Sequence, residues 1–200
     1  MSEIDDVNWN IKNDESGDNV AMLAVRENML ESLKILSQIQ GIDWNIRDDF
    51  GDTVAMIAPH HIECLKILVQ VQNIDWNIIN KGRTPAFIAM EQGRKCIQII
   101  SEMENINWNI QCQSKVGFMT PLIFGVDRGY SQCLKILRQM KNIDWNQKNS
   151  FGQTLPMIAR YHLVNIARLL QFFQCGPLQL KSEGCWHQFG VCKGCTLMDY

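Results

Sequence analysis

The sequence predicts an all-α solenoid of about five helix-turn-helix units with short β-hairpin or turn loops, followed by an irregular Cys-rich tail. Three observations predict it. Trp-Asn recurs at Trp9-Asn10, Trp44-Asn45, Trp76-Asn77, Trp108-Asn109 and Trp145-Asn146, with Trp spacings of 35, 32, 32 and 37 residues. A Gly-led turn follows each Trp by six to nine residues, at Gly17, Gly51, Gly82, Gly117 and Gly152. An apolar stripe then closes each unit, at Leu33–Leu36, Leu65–Leu68, Ile97–Ile100, Leu134–Leu137 and Ile166–Leu170.

Each landmark has a local physical reading. Gly supplies a turn with positive φ, Thr an N-cap oxygen, and Pro tolerates the first helical position. Thr84-Pro85 and Thr120-Pro121 carry that start signal most clearly, so the residues behind them open a short helix. The closing stripes carry apolar residues at i and i+3 beside polar neighbours, which predicts a second helix with one apolar side. A single helix pair cannot cover that side, so the units stack. Their boundaries fall near 7–41, 42–73, 74–105, 106–142 and 143–174, leaving 175–200 as a Cys/Gly-rich tail. The segment between helices is shortest in units two and five, and Pro59 is expected to end the first helix of unit two early.

The frame Gly-x-Thr-Pro-Leu, then Ala, an LKIL-like helix and Ile-Asp-x-Asn resembles the ankyrin repeat over roughly residues 7–174. The resemblance implies stacked helix pairs with protruding hairpins and a concave surface that grips another protein. Two departures stand out. The family usually has His after Thr-Pro-Leu, where this chain has Met22, Met56, Phe87, Ile123 and Met157. The family usually has a smaller residue where this chain has Trp. Burying one Trp removes on the order of 200 Å² from water, about 5 kcal/mol gross, so the five Trp residues are expected to staple each hairpin base to its helices.

Carried over by position, the contact residues are the hairpin tips and the ends of the first helices. The tips are Asp49, Phe50, Asp52, Lys81, Arg83, Lys115, Val116, Ser150, Phe151 and Gln153. The helix ends are Arg26, Glu27, Glu91, Gln92, Asp127 and Arg128. Phe50 and Phe151 are the strongest individual candidates, since an exposed aromatic makes a natural anchor. The resulting expectation is a monomeric, non-catalytic scaffold that binds another protein. Two variants of it are an adaptor with a zinc-binding tail in a ubiquitin-ligase-type assembly and a regulator that masks a transcription factor.

Composition fits this reading. The chain is 46% apolar and 20% charged, which suits a globular core. It has no run of eighteen apolar residues and no basic footprint, so neither membrane nor nucleic acid is an expected partner. No apolar leader follows Met1, so the expected location is cytoplasmic, with the nucleus as the other possibility. Charge is polarised: residues 1–57 hold twelve Asp/Glu and four Lys/Arg, while the remainder holds nine and fifteen. Such a pattern steers a partner with complementary halves.

Cys64, Cys96 and Cys133 share one slot with Ser32 and Asn165, which asks for a small residue and not for a bridge or a metal. Cys112 reads as incidental. In the tail, Cys192-x-x-Cys195 has metal-knuckle spacing, and Cys185 with His187 would complete a zinc set. A second knuckle is missing, so the default expectation is no cofactor. Nucleophile-elbow, phosphate-loop, zinc-protease and dinucleotide signatures are all absent from the sequence. His60 and His61 read as turn residues, and a Cys64–His61 nucleophile pair has no third group to orient it.

Overall fold

The fold is seen in a computed structural model that describes residues 7–115, 117–140, 142–155, 157 and 158. Among the described residues, eight α-helices form four consecutive pairs: α1 (Val20–Arg26) with α2 (Leu30–Leu36), α3 (Val54–Ile57) with α4 (Ile62–Leu68), α5 (Pro85–Gln92) with α6 (Arg94–Ile100), and α7 (Pro121–Asp127) with α8 (Ser131–Leu137). First helices stack on first helices and second on second, giving two parallel layers with the core between them. A fifth loop and the opening of a further helix near Leu155 continue the series; the stripe at 166–170 and the tail at 175–200 lie outside the described residues.

The helix starts follow the cap chemistry in three units. The side chains of Asn19, Thr84 and Thr120 accept from the amides of Met22, Phe87 and Ile123 at 3.0, 3.2 and 3.3 Å. Unit two differs, because Thr53 is buried and its Oγ1 has no hydrogen-bond partner among the described residues. There the first helix has only four residues and tightens into a 3-10 turn at Ala58–His60. Pro59 therefore converts the helix end into a tighter coil, which still covers the short connection to α4.

The Trp staples are real in the middle of the stack. Trp44, Trp76 and Trp108 are buried, while Trp9 and Trp145 at the outer units are half-buried. The slot that lacks the family's His is filled by buried Met22, Met56, Phe87 and Ile123, so packing holds neighbouring turns together there.

The residue after each of the first four repeat Trp residues performs a second task. Asn10, Asn45, Asn77 and Asn109 each bridge the last residue of their own unit to the start of the next. Their Nδ2 groups donate to the carbonyls of Gly41, Asn73, Asn105 and Asn142 at 2.7–2.9 Å. Their Oδ1 atoms accept from the amides of Asp43, Asp75, Asn107 and Asp144 at 2.6–2.8 Å. The Asp or Asn before each Trp caps the same bend: Asp43, Asp75, Asn107 and Asp144 accept from the amide two residues on. The tripeptide is thus a hinge pin. Its first residue closes the turn, its Trp fills the core, and its Asn clips the next unit.

The connecting loops are mostly turns. Among the described residues one β-hairpin forms, β1 (Cys112–Ser114) antiparallel to β2 (Gly117–Met119), in the unit that carries one extra residue. Units three and five have single bridges only, Asn80 to Arg83 and Lys148 to Thr154. Neighbouring loops touch backbone to backbone, as when the Gln113 amide donates to the Gly82 carbonyl. Gly82 sits at φ 72°, and a Cβ there would lie 2.5 Å from Gln113 Cβ, so only Gly admits the next loop.

Candidate functional site

The hairpin of unit four and the first helices α5 and α7 enclose a shallow cleft of about 470 Å³. Five sequence-chosen residues line it: Arg83, Glu91, Lys115, Asp127 and Arg128. Its floor holds Phe87 and Phe124, whose ring centroids are 4.7 Å apart. The Arg128 guanidinium sits 5.3 Å from the centre of the Phe124 ring, and Arg83 pairs with Glu91. Stacking on a ring leaves guanidinium edges available to an acceptor, so the cleft couples an apolar floor to a charged rim in which Arg128 and Lys115 stand beside Asp127 and the Arg83–Glu91 pair.

Phe124 was not among the sequence-chosen contacts. It occupies the slot of Leu23, Ile57 and Ile88, and its larger ring was the available signal. Phe118 was missed too, and it is 50% exposed on β2 beside buried Met119. Period-two alternation across Phe118-Met119 carried that signal.

Other chosen residues fall into two groups. Phe50 and Phe151 stand out from their tips, 59% and 68% exposed, with the Lys81 ammonium 5.7 Å from the Phe50 ring centre. Asp49, Glu27, Gln92, Lys115 and Ser150 are exposed as well. The second group is engaged internally. Arg26 was expected to meet a partner, but its Nε donates to both Asp18 oxygens at 3.0 and 3.1 Å and its Nη2 to Asp48. Both carboxylates are buried, so Arg26 neutralises an interior acidic pair and clamps unit one to unit two. Asp52 accepts from Asn80 Nδ2 at 2.8 Å, and Gln153 accepts from Asn149 Nδ2 at 2.9 Å. Val116 lies outside the described residues.

His60, read from sequence as a turn residue, closes the 3-10 turn where the fields of Asp52, Arg83 and Arg26 reach it. Partial burial, then neighbouring His61 and Arg83, lower its pKa from the ordinary 6.5.

The thiols are turned away from chemistry. Cys64, Cys96, Cys112 and Cys133 are free and buried, and burial raises the pKa of each. Cys64 Sγ donates to Asn28 Oδ1 at 3.4 Å and not to His61, which removes the nucleophile pair considered from sequence. Cys96 Sγ donates to the Pro59 carbonyl at 3.2 Å, a bond that the small-residue reading had not anticipated. Cys112 is not incidental: it is fully buried, with Sγ 3.5 Å from the capping oxygen of Thr84.

Among the described residues, no group of three or more His, Cys, Asp or Glu could hold a metal, and no helix is long and apolar enough to cross a membrane. The zinc set Cys185, His187, Cys192 and Cys195 lies outside them.

Comparison with known proteins agrees with the geometry. Residues 21–112 match the family model for ankyrin repeats, in three copies. The fold is similar to the crystal structure of EF0377, an ankyrin repeat protein, at a TM-score of 0.69 and 21% identity over 86% of this chain and 88% of that one. No curated protein matches the sequence.

Proposed function

Since this chain belongs to the ankyrin-repeat family, whose members generally mediate protein–protein interaction, we propose that it is a non-catalytic recognition module whose partner docks in the cleft between units three and four. One observation carries the reading: Phe124 floors the cleft beneath Arg128, with Lys115 on the rim. An aromatic floor under a cation suits an aromatic or aliphatic anchor flanked by a carboxylate. The stacked frame holds these groups in place before binding, which lowers the ordering cost.

The partner's charge follows from the loops. Units one and two carry Asp14, Glu15, Glu27, Asp49 and Asp52, while units three and four carry Lys81, Arg83, Lys115 and Arg128. A partner with a basic part over the first half and an acidic part over the second matches both. The test is affinity capture with mass spectrometry, using the wild type, Lys115→Glu/Arg128→Glu, and Lys66→Glu/Lys95→Glu. Lys66 and Lys95 line a groove between second helices. Loss of a captured protein from the first variant alone supports the proposal. Loss from the second variant alone moves the site to the second helices and refutes it.

A further inference from the structure

Phe118 and Phe151 stand together on the loops of units four and five. Phe118 is 50% exposed and Phe151 68%. The Ser150 amide donates to the Phe118 carbonyl at 2.9 Å, which sets the two loops side by side. The Phe151 ring lies over Gly117, where an added Cβ would be 3.9 Å from its Cε2. Phe118 shares the outer face of its hairpin with its cross-strand partner Gln113, while Cys112 and Met119 point into the core. Neither ring lines the Phe124 cleft or the groove between second helices. Both therefore project from the loop edge, and an apolar environment for them has to come from outside.

The backbone around the rings is already paired. Ser114 Oγ donates to the Gly117 carbonyl at 2.8 Å. Asn149 Oδ1 accepts from the amides of Phe151 and Gln153 at 3.0 and 2.9 Å, and the Asn149 carbonyl accepts from the Gly152 amide at 2.9 Å. Tips paired in this way leave bulk water at little cost. Their charge is one-sided. Segments 79–83, 111–118 and 147–153 hold Lys81, Arg83, Lys115 and Lys148 and no Asp or Glu. Lys81, Lys115 and Lys148 are exposed and form no ion pair among the described residues. Glu91 and Asp127 sit inside the cleft, with Glu91 held by Arg83. The loops of units one and two instead expose Asp14, Glu15 and Asp49.

We propose that the loop tips of units three to five dock on an anionic lipid surface. The Phe118 and Phe151 rings seat at the boundary of headgroups and acyl chains, and the lysines lie against the headgroups. Shape favours a bilayer over a protein: a fluid surface takes projecting rings as they come, whereas a protein has to offer a formed pocket for them. The acidic loops of units one and two are repelled by the same surface, so the contact is oriented. It is separate from the Phe124 cleft and does not depend on what docks there. It departs from the sequence expectation of no membrane partner, which rested on the lack of an apolar run long enough to span.

Co-sedimentation of the full chain with vesicles tests the proposal, using phosphatidylcholine alone and phosphatidylcholine mixed with phosphatidylserine. Each lysine near an anionic surface raises partitioning about fivefold, so the mixed vesicles should bind about tenfold more tightly or better at low salt, and less so at high salt. Phe118→Ser/Phe151→Ser should weaken binding to mixed vesicles by about tenfold, and so should Lys81→Gln/Lys148→Gln, with circular dichroism unchanged in both. Phe50→Ser removes a similarly exposed ring that stands between Asp49 and Asp52, and it should bind as the wild type does. Wild-type binding by the Phe118/Phe151 variant, an equal loss from Phe50→Ser, or equal binding to both kinds of vesicle would each overturn the proposal. A wild type that ignores both would leave the rings to a protein pocket and overturn it as well.

Discussion

Replacing Asn77 by Ala removes two hydrogen bonds and nothing from the core. Its Nδ2 donates to the Asn105 carbonyl at 2.7 Å and its Oδ1 accepts from the Asn107 amide at 2.6 Å. A typical intramolecular hydrogen bond contributes about 1 kcal/mol net, so the pair is worth about 2 kcal/mol at most. Both bonds lie at the surface, where water can take over the orphaned groups, which brings the expected loss to about 1–2 kcal/mol. For a domain of this size that corresponds to a fall in Tm of about 2–8 °C. Asn77→Asp keeps the acceptor but sets a carboxylate against the Asn105 carbonyl, so at neutral pH it should cost as much as Ala. Urea unfolding monitored by Trp fluorescence and by circular dichroism reads both variants. Asn45→Ala and Asn109→Ala should give similar losses, adding when combined because the clips share no atoms. If Asn77→Ala shifts stability by less than about 0.3 kcal/mol, or Asn77→Asp matches the wild type, the clip does not hold the units together.

Further outcomes follow from the same contacts. Trp76→Ala empties a fully buried site and should cost about 3–5 kcal/mol by urea unfolding, whereas Trp186→Ala, outside the repeat frame, should cost much less. Equal losses would undo the staple. Cys64, Cys96, Cys112 and Cys133 should resist a thiol-directed reagent until the chain unfolds, because burial both shields them and raises their pKa values; rapid native labelling, mapped by mass spectrometry, would contradict their placement. His60 is disfavoured in its charged form in the fold, so the unfolded chain takes up the proton first. Stability should therefore decline as pH falls through 6.5 toward the lower folded value, and His60→Gln should flatten that decline in a Tm-against-pH series. An unchanged slope would place the titration elsewhere.

The repeat frame was legible because its signals are local. Gly, Thr and Pro act on their own backbone, and the apolar stripe repeats at helical spacing. The Trp residues were legible for the same reason, as large apolar side chains recurring in phase. Partners across units were harder to read. Arg26 meets Asp18 and Asp48, respectively eight and twenty-two residues away, and nothing in the local pattern distinguishes it from a solvent-facing Arg. Lateral burial hid the role of Cys112 in a similar way, since its contact with Thr84 spans two units. The Asn clip was available from sequence: a polar residue kept in phase five times behind a buried Trp has to satisfy something specific. Its partners are backbone atoms about thirty residues on, which carry no side-chain signature. In the cleft, the charged rim was read from position, while the aromatic floor was overlooked because Phe87 and Phe124 look like ordinary core residues.

In the proposed reading, partners meet the loop tips and first helices of the stacked frame. Hydrogen–deuterium exchange of the chain with and without a captured partner tests it most directly. Exchange should slow across residues 79–92 and 111–128, with the second helices Leu30–Leu36, Ile62–Leu68 and Arg94–Ile100 unchanged. Protection centred on those second helices, with the Phe124 cleft unaffected, would contradict it.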